Sequence, residues 1–188
     1  MAVKDAVRVG FVGVGGRAKS HLAAVSTVEG AQIVAVTDID GELARSVADQ
    51  YGAAAYTNTE EMLDVQPIDA VWVVTPPSFH REPVVAAATR GVNVYVEKPV
   101  ALNLSDALAM EAAAKEAGII CAVSYQIRYL DTVAEVHRSL ASKDLALLNA
   151  HYYWRAPRAG GWQRQTSASG GQIVEQATHL VDLMRYWA

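Results

Sequence analysis

Short β-branched runs alternate with stretches of helical period from the start of the chain. "VRVGFVG" reads as a strand, Arg17 to Val28 as a helix, "QIVAVTD" as a second strand and Glu42 to Tyr51 as a second helix. The series continues with a short strand near Ala54 to Tyr56 and a helix opened by a capping-box pattern from Thr57 to Glu60. After these come the run "AVWVVT", the helix "FHREPVVAAATR" and the strand "VNVYV". Strands that are apolar on both faces and separated by helices predict a parallel sheet covered on each side, the doubly wound α/β architecture. A further helix, "LSDALAMEAAAKEA", starts beside Ser105 and stops at Gly118, and "IICAVSY" follows as a strand. These elements make a first domain over residues 1–122.

Beyond that point the pattern changes. "LDTVAEVHRSLA" is helical, "ALLNAHYYWR" alternates like a strand with one wetter face, and "APRAGGWQRQTSASGG" reads as a long loop. A last helical pattern, "QIVEQATHLVDLMRYW", runs to the terminus. Residues 123–188 are therefore expected to begin a second α/β domain, incomplete because one strand does not make a sheet.

Composition narrows the partners. With 188 residues, 52% hydrophobic and 19% charged, the chain holds apolar material for one ordinary core and part of a second. A net charge of -4 gives no basic field of the kind that draws nucleic acid or anionic lipid, so neither is expected as a partner. The single cysteine, Cys121, cannot close an internal disulfide and reads as a core thiol suited to a reducing compartment. The N-terminal apolar run is broken by glycines and shows no cleavage pattern, which suggests a cytoplasmic chain without a membrane span.

Candidate chemistry sits at strand ends. "GVGGRA" (Gly13, Val14, Gly15, Gly16, Arg17, Ala18) fits GxGxxA after a strand and at the opening of a helix. Gly13 permits the tight turn, Gly15 lets backbone approach a pyrophosphate, and Ala18 keeps the helix close to the sheet. The anion would rest on the helix N-terminus. Asp38 follows 20 residues after Ala18, at the end of the second strand. A carboxylate there takes both ribose hydroxyls and repels a 2′-phosphate, which favours NAD(H) over NADP(H); Asp40 is placed to share or replace it. In "VVTPPSFH", Thr75, Pro76, Pro77 and His80 either line the nicotinamide half of the crevice or form a proline-stiffened loop with a helix-start histidine.

"YVEKPV" closes a strand with Glu97, Lys98 and Pro99. At the mouth of the crevice Lys98 would lose its charge readily or donate to a substrate oxygen, and Glu97 would neighbour it or bind the cofactor. Pro99 ends strand pairing and fixes the chain direction. In the last helix Glu175, His179 and Asp182 are spaced by four and three residues, which puts them on one helical face. A histidine so flanked is oriented and made more basic. The plainer alternative is an exposed polar stripe, and with no clear third and fourth ligand a metal is not expected.

In this order, GxGxxA, the strand-end Asp, "TPPSFH", "VEKPV" and "GGQIVEQATHLVD" resemble the Gfo/Idh/MocA family of NAD(P)-dependent oxidoreductases, from about Val7 to Trp187. The resemblance implies a Rossmann domain followed by a larger α/β domain that carries substrate contacts and often the oligomer interface. It implies a secondary alcohol and ketone interconverted on a sugar, inositol or related polyol. Lys98 would hydrogen-bond the reacting hydroxyl, and His179, with Glu175 beside it, would be the general acid or base. Two departures stand out: Glu175 replaces an aspartate common in the family, and the Asn-Arg-Arg-Phe element appears as Gln126, Ile127, Arg128 and Tyr129. The resemblance also implies further strands after this point, so the chain is expected to be truncated or completed by a partner, with Tyr152, Trp154, Tyr186 and Trp187 partly bare.

Candidate substrate contacts are Tyr125, Arg128, Trp154, Arg155, Arg158 and Trp162, since aromatic faces and guanidinium groups suit sugar rings and acidic substituents, together with Asp182. Two other functions remain compatible with the residues: a nucleotide-binding module without catalysis, and an interaction protein docked through its second segment.

Overall fold

The computed structural model describes residues 6–153 and 161–188. By contact density the chain divides into two compact units, Met1–Val123 and Ser124–Ala188.

The first unit is a six-stranded parallel sheet between layers of helix. In chain order it comprises β1 (Val7–Val12), α1 (Ala18–Ser26), β2 (Ala31–Thr37), α2 (Gly41–Tyr51), β3 (Ala54–Tyr56) and α3 (Thr59–Val65). Then come β4 (Ala70–Val73), α4 (Arg81–Ala88), β5 (Asn93–Val96), α5 (Leu104–Ala117) and β6 (Cys121–Val123). The strand order is β3-β2-β1-β4-β5-β6, so the winding reverses between β1 and β4. A crevice outside the carboxyl ends of the strands at that reversal is where open α/β sheets bind ligands.

Alternation along each strand feeds two cores. Val9, Phe11 and Ile33 pack with Leu22 and Val25 of α1 and Val47 of α2. Val12, Val71, Val73, Val94 and Val96 pack with Met62, Val84 and Met110 of α3, α4 and α5. Phe11, Trp72 and Tyr95 stand side by side on neighbouring strands, with centroids 6.0 and 5.2 Å apart. The helix boundaries follow local chemistry. α2 and α5 end at Gly52 and Gly118, both in the left-handed conformation with φ of 66°. α3 starts one residue later than the capping-box pattern suggests: extended Asn58 accepts from Glu61 N at 2.9 Å and forms the cap.

The second unit differs from its expected α/β character. Its described residues form only helices and turns: α6 (Asp131–Leu140), α7 (Thr166–Ser169), α8 (Gly171–Glu175) and α9 (Thr178–Trp187), with 3₁₀ turns at Gln126–Tyr129 and Trp162–Arg164. The expected strand "ALLNAHYYWR" is irregular over its described part, up to Tyr153. A strand needs a neighbour to take its N–H and C=O groups, and the described residues of this unit supply none. Part of the expected loop, by contrast, folds as the second 3₁₀ turn and α7. The last helix is two helices rather than one. The Gln172 carbonyl accepts from both Gln176 N, at 3.0 Å, and Ala177 N, at 3.1 Å, and this five-residue step breaks the regular ladder.

Candidate functional site

At the winding reversal, the turn after β1 is shaped by what a side chain would hit. Gly13 has φ of 80°, and a Cβ there would lie 2.9 Å from Thr75 Cγ2 and 3.1 Å from the Val74 carbonyl carbon. Glycine is therefore required by conformation and by space together. Gly15 and Gly16 answer to a different need: chain neighbours aside, a Cβ on either meets no atom of the described residues within 4 Å. Their bareness leaves room beside backbone N–H groups at the start of α1, which is the cradle a pyrophosphate requires. Ala18 is buried, and its N–H donates to Gly15 O at 3.0 Å, so the turn leads directly into α1.

Asp38 immediately follows β2. Its Oδ2 accepts from Val14 N at 2.9 Å and its Oδ1 from Asp40 N at 3.1 Å, which fixes the carboxylate beside the glycine turn. Each oxygen retains a lone pair for a ribose hydroxyl. Asp40 does not share this position. Its Oδ1 caps α2, accepting from Glu42 N and Leu43 N at 3.0 and 3.1 Å.

On the other side of the reversal, Thr75 and Pro76 are half-buried and Pro77 is buried. His80 lies wholly inside. Its ring nitrogens are 2.9 Å from Thr75 O and 3.1 Å from Val100 O, so it braces the loop after β4 against the segment after β5. Burial pulls its pKa below the ordinary imidazole value, opposed by those carbonyls. A side chain with no exposed surface shapes the crevice through Thr75 and cannot itself line it.

Glu97 and Lys98 follow β5. The Glu97 carboxylate is buried and crowded with donors: Oε1 accepts from Arg17 Nε at 2.9 Å and faces His21 Nε2 at 2.7 Å, while Oε2 accepts from Lys98 N at 2.9 Å. Desolvation would raise its pKa, but the His21 contact and the Arg17 charge outweigh it and hold the carboxyl at about 2. Glu97 is thus an anion spanning the glycine turn, α1 and the backbone of Lys98. Lys98 is half-buried, and the Lys98–Pro99 peptide bond is cis. His21 was not anticipated from the sequence. The available signal was its spacing of four from Arg17, which puts both on one face of the fingerprint helix.

In the second unit the structure gathers a polar interior. Glu175, His179 and Asp182 are all buried, so the alternative of an exposed stripe is excluded. They do not share one continuous helix, since Glu175 ends α8 and the other two belong to α9. Tyr125 presents its ring edge-on to His179 at 6.1 Å, and its hydroxyl lies 3.1 Å from Thr178 Oγ1. Asp182 is engaged by Arg128 through two guanidinium N–H groups, the Nε bond being 2.6 Å. The Arg128 guanidinium is 4.8 Å from the centre of the Tyr186 ring, which stacks on His137 at 4.0 Å. Two expected substrate contacts therefore hold each other. Trp162 is half-buried in its 3₁₀ turn, whereas Trp154, Arg155 and Arg158 lie outside the described residues. Among the described residues, no helix is long and apolar enough to cross a membrane.

Comparison with known proteins agrees with this geometry. The family model described as an oxidoreductase family with an NAD-binding Rossmann fold, Gfo/Idh/MocA, matches residues 7–125, and a model of an oxidoreductase C-terminal domain matches residues 128–188. The chain is 28% identical to 4-carboxy-2-hydroxymuconate-6-semialdehyde dehydrogenase of a Sphingobium species, over 97% of this chain and 59% of the relative. It is 32% identical to inositol 2-dehydrogenase 3 of Saccharopolyspora erythraea, over 96% of this chain and 53% of the relative. The crystal structure of the WlbA dehydrogenase from Bordetella pertussis, in complex with NADH and UDP-GlcNAcA, superposes with a TM-score of 0.88 at 26% identity. That match covers 100% of this chain and 57% of the other. The chain thus spans a little over half the length of these relatives. With the fingerprint turn, the strand-end aspartate and the Glu-Lys-Pro closure in one crevice, the chain belongs to the Gfo/Idh/MocA oxidoreductase family, and its first unit is that family's NAD-binding Rossmann fold.

Proposed function

We propose that the protein is an NAD-dependent dehydrogenase that interconverts a secondary alcohol and a ketone on a sugar, inositol or related polyol. The observation that carries this is the juxtaposition at the winding reversal: open space over Gly15 and Gly16, a fixed Asp38 carboxylate, and Lys98 held at the carboxyl end of β5. Gly13, Gly15, Gly16 and Ala18 would cradle the pyrophosphate on α1, and Asp38 would take the ribose hydroxyls and disfavour a 2′-phosphate. Thr75, Pro76 and Pro77 would border the nicotinamide. When bound, NAD supplies the hydride acceptor or donor.

The remaining chemistry falls to the protein. Lys98 would donate to the reacting oxygen, and His179 would take or return the hydroxyl proton as general base or acid. Glu175, buried close in sequence to His179, would favour the imidazolium formed when that proton moves. Tyr125 would limit the tilt of the His179 ring by its edge-on contact. The inositol and sugar-nucleotide relatives support a polyhydroxylated substrate.

The test is calorimetric titration with NAD and with NADP, followed by NADH absorbance on a panel of polyols and inositols, with Lys98→Ala as control. NAD binding with turnover that the substitution abolishes is the expected result. Binding without turnover on any substrate would point to a nucleotide-binding module, and no binding would overturn the site assignment.

A further inference from the structure

We infer that Glu97, with Arg17 and His21, is a positioning device that couples occupancy of the glycine turn to the placement of Lys98. The inference rests on the nucleotide site proposed above and adds a connection within it.

The connection is short and continuous. Arg17 belongs to the fingerprint itself and is the residue immediately before α1. Its Nε–H is committed to Glu97, yet the side chain remains 51% exposed, and a guanidinium has four further N–H groups to offer a phosphate. The same Glu97 oxygen faces His21, one turn into α1, and the other oxygen accepts the backbone N–H of Lys98. One buried carboxylate therefore receives donors from the phosphate-binding turn, from the helix that carries it, and from the residue assigned to the substrate oxygen. Charge-assisted bonds to a desolvated anion are short and directional, so drawing Arg17 toward a phosphate redistributes the bonding on Glu97 and alters its hold on Lys98. His21 keeps the carboxylate anchored while this happens. Its ring is held in turn against Tyr95, with centroids 5.8 Å apart. Glu97 and His21 need touch neither substrate nor nicotinamide; they act through the Lys98 backbone.

The amide of Lys98 is itself the reporter. The chain has five lysines, so ¹⁵N-lysine labelling gives a spectrum in which Lys98→Arg identifies the one resonance needed. The probe is ADP, which reaches the glycine turn but carries neither the second ribose nor the nicotinamide. In the wild-type chain the Lys98 amide proton is expected well downfield and is expected to move when ADP binds. In Glu97→Gln and in His21→Leu the ADP-induced movement is expected to be lost while ADP still binds, and His21→Gln, which keeps an N–H donor, is expected to restore it. If either leucine or glutamine substitution prevents folding, the other carries the test. ADP binding with no movement of the Lys98 amide in the wild-type chain would overturn the coupling, as would movement that persists in both variants. Failure of ADP to bind the wild-type chain at all would instead remove the nucleotide site, and the coupling with it.

Discussion

The two units are stabilised from different materials. In the first, the large side chains removed from solvent are apolar apart from His80, with Phe11, Leu22, Met62 and Met110 among them, and buried polar groups are few and sit beside the crevice. In the second, Val133 is the only buried hydrophobic residue among those described, and the interior is otherwise Ser124, Ser169, Glu175, His179 and Asp182. Apolar burial is non-directional and tolerates many arrangements, whereas a buried polar group is stable only with particular partners. The first unit can therefore be rigid without specific contacts. The second depends on them.

The sharpest way to break that contrast is to remove apolar mass from the first unit. Phe11→Ala deletes a fully buried ring stacked on Trp72 and is expected to cost about 3–5 kcal/mol, read by denaturant unfolding. A smaller loss would mean that the core tolerates collapse, and the distinction between the units would weaken.

Acid tests the polar element of the first unit. Glu97 has a folded-state pKa of about 2 against an ordinary 4.5, a depressed carboxyl. Its contribution is therefore fully present above about pH 4.5 and is lost as pH falls toward 2, amounting to on the order of 3 kcal/mol. Unfolding measured between neutral and acid pH is expected to show this slope in the wild-type chain and a flatter one in Glu97→Gln. Asp69, bidentate to Arg8, also titrates at about 2 and adds a smaller slope because both side chains are partly solvated.

For the second unit the informative change is electrostatic. Arg128→Ala leaves the buried Asp182 carboxylate without its bidentate partner, and about 2 kcal/mol of local stability is expected to be lost. Hydrogen exchange should quicken in α9 while β1 and β4 are unchanged. Faster exchange throughout both units would show that they open together.

The smallest effect on stability belongs to Gly15→Ala. Chain neighbours aside, none of the described residues lies within 4 Å of the added methyl, so unfolding should shift by less than about 0.5 kcal/mol, yet NAD affinity should fall at least about tenfold. Gly13→Ala would instead damage both properties, because its methyl meets Thr75 and the backbone.

The first unit was largely legible in the sequence. Alternating β-branched runs such as "VRVGFVG" and "AVWVVT" force strands whose two faces both need cover, and the intervening helices supply it; GxGxxA and Asp38 then mark the crevice because strand ends converge there. The second unit was less legible. The strand expected in "ALLNAHYYWR" depends on a partner strand that periodicity cannot provide, and the break after Glu175 depends on where one carbonyl, that of Gln172, finds its donors.

Local pattern and spacing determined the parallel architecture, the glycine turn, the aspartate at β2 and the position of Lys98 at the mouth of β5. Only the tertiary structure decided which polar groups meet: His21 and Arg17 on Glu97, His80 on two carbonyls, Arg128 on Asp182. Periodicity records which side of an element faces inward, because solvent exclusion acts on each residue by itself. The partner of a buried charge comes from a distant segment, and folding chooses it by distance and direction.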